Sequence, residues 1–158
     1  MKPPSDTKDL PKPKFSDVFN IEDCWRAEFE DGRLAVCNGF WLMEYEAALS
    51  LRRPDVKTAL MHIDEMLRLS WGRVKARTTA VAWTEVDSFR DPPLCALMTG
   101  GGRVLGHVNL QAYAYLRSQW PDCAVLVHGK LAPVAFQNDK LRAVIMPVHV
   151  GTVPKGKR

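Results

Sequence analysis

The chain has 158 residues, 46% of them hydrophobic and 25% charged, with a formal net charge of +4; this predicts one globular domain with its own core and excludes a collagen-like or wholly disordered chain. No run reaches the apolar length that spans a bilayer, and the amino terminus has no apolar leader-like stretch. Cys24, Cys37, Cys95 and Cys123 stand singly among apolar neighbours, with no C-x-x-C pair and no His at ligand spacing, so the expectation is buried thiols, no metal, no cofactor and a reducing cytoplasm.

The charge is uneven. Residues 1–14 hold four Pro and four Lys around a single Leu, and residues 151–158 add Lys155, Lys157 and Arg158. Both stretches read as disordered basic arms, because they lack the apolar surface that offsets ordering entropy. They carry seven of the 22 Lys and Arg but only two of the 18 Asp and Glu, so residues 15–150 are close to neutral. Basic arms favour polyanions through counterion release; they equally serve solubility.

In chain order, Trp25–Phe29 and Leu34–Cys37 are strand-like runs around Asp31-Gly32, a strong hairpin signal. Asn38-Gly39 marks a second turn or a bulge, and the run from Phe40 to Leu49 fits strand or helix, its aromatic content favouring strand. Pro54 breaks the pattern. A short apolar run to His62 then leads into a helix over 63–70, with Asp64 and Glu65 at its start and Arg68 at its end, as the helix dipole prefers.

Val74 to Val86 alternates and predicts strand with a turn inside it, and Pro92-Pro93 interrupts before a strand at Leu94–Met98. Thr99-Gly-Gly-Gly-Arg103 fits a hairpin tip better than a phosphate cradle, because a strand-like Val104–Val108 follows instead of a helix. Asn109 is a good N-cap for a helix over Leu110–Ser118, stopped by Trp120-Pro121. Such a short helix needs a sheet to pack on, with Leu110, Tyr113 or Ala114, and Leu116 as its apolar side. Cys123–His128, Leu131–Phe136 and Leu141–Val150 are strands joined by short polar turns, hence antiparallel.

Thr58–Ser70 and Leu105–Arg117 share one order: strand end, polar cap position, short helix, closing Arg. Two such halves predict an α+β domain, with two short helices on antiparallel sheets and an internal pseudo-twofold duplication.

Three passages carry a family resemblance. Phe29-Glu-Asp-Gly-Arg-Leu-Ala-Val-Cys-Asn-Gly-Phe-Trp-Leu-Met-Glu44, the Val104–Phe136 stretch, and the closing Val144-Ile-Met-Pro-Val-His-Val150 resemble the hairpin, second half and last strand of a DNA sliding-clamp domain, most nearly one domain of the bacterial DNA polymerase III beta subunit. That chain carries three such domains and this one has room for one. A homo-oligomeric ring would need six copies; otherwise the protein is no ring.

The resemblance implies a clamp-like fold in a non-catalytic, processivity-type protein that binds duplex DNA non-specifically, replication proteins, or both. It implies phosphate contacts from Arg68, Arg73, Lys75 and Arg117, and a partner-binding groove at Met146, Pro147 and Val148. Helix-end charges also balance a dipole, and Pro near a chain end also marks an edge strand. The rival expectation is a small accessory protein-binding domain, a clamp mimic that leaves DNA alone. Catalysis is the weaker expectation: His62, Asp64 and Glu65 do not face one another at a helix start, and His107, His128 and His149 sit on separate strands.

Overall fold

A computed structural model describes residues 10–51, 78–86, 92–127, 129 and 132–148. The expected helix over 63–70 and its place in the repeat lie outside the described residues, as do 1–9 of the first arm, the whole of the second arm (151–158) and 149–150 of the expected last strand.

The elements are α1 (Phe15–Val18), β1 (Trp25–Glu28), β2 (Leu34–Cys37), β3 (Trp41–Glu44), β4 (Thr78–Ala80), β5 (Ala82–Val86), β6 (Leu94–Met98), β7 (Val104–Asn109), α2 (Leu110–Gln119), β8 (Ala124–Val127), β9 (Val134–Gln137) and β10 (Leu141–Ile145). The class is α+β with antiparallel sheets, as the composition of the runs implies. Seven strands form one sheet in the order β1-β2-β3-β10-β9-β8-β4, and β5-β6-β7 form the other.

Local chemistry accounts for the turns. Gly32 adopts φ 87 in the β1–β2 turn, a left-handed conformation that glycine takes without steric cost. Asn38 accepts the amides of Phe40 and Trp41 on its side-chain oxygen, and Gly39 supplies φ 93 beside it. Asn109 caps α2 by accepting the amide of Ala112.

The strand expected over 40–49 ends at Glu44, and a 3-10 turn, Glu46–Ser50, replaces its second half. The run Glu-Ala-Ala-Leu has helical preference, and Ala48 packs fully buried once the chain curls. The strand expected over 141–150 ends at Ile145, because Pro147 has no amide for a ladder. The turn expected inside 74–86 falls at Val81: β4 belongs to the large sheet, β5 to the small one, and Val81 donates to Met98 in between. One extended run thus turns the corner between the sheets.

Alternation gives the large sheet two apolar faces. Val36, Met43, Val125, Val134, Phe136, Ala143 and Ile145 join the cluster that holds α2, together with Cys95, Leu97 and Val108 of the small sheet. Ala27, Ala35, Cys37, Leu42, Ala135 and Val144 form a second cluster on the opposite face. Helix α2 buries Leu110, every residue from Ala112 to Leu116, and Arg117. A helix buried on nearly all sides is an interior element, so the one-sided packing expected for it is replaced by enclosure.

The packed body begins upstream of Phe15. Leu10 is buried, and Phe15 stacks on Phe19 and Tyr45 and meets Tyr115 edge-on. Among the described residues, no helix is long and apolar enough to cross a membrane.

Candidate functional site

Reactive side chains come first. All four cysteines are free and buried. Desolvation pushes Cys37 and Cys95 up to about 12, and Cys24 and Cys123 up to about 11, with Asp23 and Asp122 adding to the rise at the latter two. Thiols held in the neutral form are poor nucleophiles and poor metal ligands. Among the described residues, no three His, Cys, Asp or Glu gather as a metal site. His107 lies half-buried on β7; His62, His128 and His149 lie outside the described residues.

Of the residues expected to contact phosphate, Arg68, Arg73 and Lys75 lie outside the described residues. Arg117 does not face solvent: it is 3% exposed and donates from Nη1 to the Cys123 carbonyl and from Nη2 to the Pro121 carbonyl. Its guanidinium ties the end of α2 to the chain entering β8. This corrects the expectation of an outward phosphate contact. The physical reason is that the buried Cys123 carbonyl past the helix end needs a donor, and Arg117 is the side chain within reach, bonding the Pro121 carbonyl as well. A cleft of about 190 Å³ lies beside it, lined by Leu10, Pro11, Lys12, Ala114, Ser118 and Pro121.

One group of charged side chains near the surface pairs internally. Arg33 and Arg142 both donate to Glu44 Oε2, at 2.9 and 2.7 Å, joining the turn before β2 to β3 and β10. Arg33 also binds Asp31 at 2.7 Å, which lowers the Asp31 carboxyl, and its guanidinium lies 4.5 Å over the Phe29 ring. The hydrogen bond from Arg142 to Glu44 raises the Arg142 guanidinium. These cations are engaged within the protein.

The groove residues are arranged differently. Val144 pairs with Leu42 and Ile145 with Trp41, and one further step sets Met146 opposite Phe40. The Met146 amide donates to the Phe40 carbonyl at 2.7 Å. Two residues on, the Val148 amide donates to the His107 carbonyl at 2.8 Å, so the chain end leaves the large sheet and reaches β7 of the small one. Met146, Pro147 and Val148 are all half-buried, and Met146 packs on the cluster containing Leu42 and Val144.

Phe40, directly opposite Met146, is 65% exposed. Its ring lies 6.1 Å from Trp41, which rests edge-on against Phe19 at 5.4 Å. Sequence reasoning treated Phe40 as an ordinary strand residue. The available signal was the Asn38-Gly39 turn immediately before it, which leaves Phe40 in the bend leading into β3.

No family model, curated protein or solved structure matches the chain.

Proposed function

We propose that this chain is a non-catalytic binding domain, a sliding-clamp-like protein or clamp mimic, that engages a protein partner through the apolar surface at Phe40, Met146, Pro147 and Val148. The observation that carries this reading is the exposed Phe40 side chain at a backbone position fixed by the hydrogen bond that the Met146 amide donates to the Phe40 carbonyl. An exposed aromatic on a rigid support, next to a thioether that repacks easily, is the kind of anchor that dominates protein recognition.

The reading includes a clamp-like fold of two repeated halves, supported by the strand, helix and three antiparallel strands from β7 to β10. It favours a protein partner over duplex DNA. With Arg117 bonded to carbonyls inside the protein, α2 offers little of the phosphate-facing charge on which non-specific DNA binding depends. Four free, buried cysteines fit a reducing cytoplasm.

A labelled clamp-binding peptide tests the proposal. Phe40→Ala and Met146→Ala should each weaken capture by about tenfold or more, with the circular dichroism of the wild type retained. Equal capture by both variants would dismiss the surface. Tight duplex binding that fades steeply as salt rises would restore the ring reading in its place.

A further inference from the structure

Strand β1 ends the seven-stranded sheet, and among the described residues nothing pairs with its outer side. Two bonds reveal which of its residues point outward. The Phe29 amide donates to the Arg33 carbonyl, and the Tyr45 amide to the Leu34 carbonyl. Since bonding direction alternates along a strand, Leu34 and Val36 turn to β3 while Ala35 and Cys37 turn to β1. With Ala27 opposite Ala35 and Trp25 opposite Cys37, the inward groups of β1 belong to Trp25 and Ala27. Arg26 and Glu28 therefore aim their amides and carbonyls away from the sheet.

We propose that this edge pairs with β1 of a second copy of the chain, antiparallel about a twofold axis at Ala27. Outward residues must meet outward residues, which leaves few registers. Centring on Arg26 sets that cation against its own copy, and centring on Glu28 sets the carboxylate against itself. Centring on Ala27 sets Arg26 opposite Glu28 and Glu28 opposite Arg26, so each pair exchanges both amide-to-carbonyl bonds and matches opposite charges on one face. On the other face Trp25 is half-buried and Phe29 is only 2% exposed under the Arg33 guanidinium, so that face adds little contact of its own. The segment Trp-Arg-Ala-Glu-Phe is thus complementary to itself in backbone direction and charge.

Among the described residues, the surroundings leave room for this contact. Glu28 is exposed, Arg26 is half-buried with its guanidinium held 3.1 Å from the Leu49 carbonyl, and the Leu49 side chain is 68% exposed beside it. A single short strand buries less than the roughly 1,000 Å² of a stable interface, so self-association belongs to high micromolar concentrations. A twofold contact also closes at two copies, unlike a ring.

Sedimentation of the full chain over a concentration series is the test, using Arg26→Glu, Glu28→Arg and Glu28→Pro. Each variant alone should self-associate about tenfold or more weakly than the wild type. Proline at position 28 removes an outward amide and leaves the bonds between β1 and β2 untouched. Mixing Arg26→Glu with Glu28→Arg should restore the dimer, because both charge pairs are then opposite again. A wild type that stays monomeric throughout, single variants that dimerise normally, or a mixture that stays monomeric would overturn the proposal. Peptide capture at Phe40 is unaffected by any of these outcomes, so the two readings fail separately.

Discussion

The α2 end of the molecule and the Phe40 end use the same kinds of side chain in opposite ways. Around α2, Tyr113 and Leu116 are buried and even Arg117 is consumed by carbonyl groups. At the other end, a Phe, a Met and a Pro remain partly open on a framework of backbone hydrogen bonds. Residue type alone does not mark a binding surface. An arginine at a helix end serves structure where carbonyls need it, and a phenylalanine serves recognition where a turn holds it out of the core.

That contrast predicts large stability effects around α2 and small ones around Phe40. Phe136, fully buried with its ring 5.8 Å from Tyr113, should give the largest: Phe136→Ala is expected to cost about 3–5 kcal/mol in urea unfolding. Arg117→Met should cost roughly 2–3 kcal/mol by the same measurement, because the Cys123 and Pro121 carbonyls lose their donor. An Arg117→Met protein as stable as the wild type would remove the structural role given to this side chain.

Alkaline pH separates the regions next. Cys37 and Cys95 are raised from 9.0 to about 12 by burial, so the folded state holds their protons more tightly than the unfolded state. This stabilisation is complete below the unfolded value and declines as pH rises from about 9 toward 12, by roughly 1 kcal/mol per thiol at about pH 10. Urea midpoints should fall over that range, less so in Cys37→Ala; a flat profile would contradict the burial. Below about pH 8, a thiol reagent should label neither residue until the protein unfolds.

Smaller effects follow at the cap and at the surface. Asn109→Ala should cost about 1 kcal/mol through the lost bond to the Ala112 amide. Phe40→Ser should change stability by no more than about 0.5 kcal/mol while removing partner capture. If Phe40→Ser instead unfolded the protein, Phe40 would belong with Phe136 and the contrast between the two ends would collapse.

Much of the fold was legible because its signals are local. The strand at Leu94–Met98 falls where it was read, and α2 starts at Leu110 behind its Asn109 cap, one residue longer than expected at its end. The hairpin at Asp31-Gly32 and the antiparallel block β8–β9–β10 rest on turn chemistry. The misread half of 40–49 shows the limit, since Tyr45 and the residues after it suit strand or helix until packing against β1 and β2 decides. The site was legible only in part. Met146, Pro147 and Val148 entered through a family resemblance, whereas Phe40 escaped notice because its exposure depends on the strand it faces.

Sequence by itself determined most of the described strands, α2 with its cap, the hairpin turns and the buried character of the cysteines, since each follows from nearest neighbours and short periodicities. It determined neither α1 nor the 3-10 turn at Glu46–Ser50. Tertiary structure decided that β3 pairs with β10 and β4 with β8, that one extended run serves two sheets through Val81, that Arg117 turns inward and that β1 is left at an edge. The physical reason lies in separation along the chain. Contacts such as Arg142 with Glu44, 98 residues apart, arise when a fold closes on itself, and no window of adjacent residues encodes them.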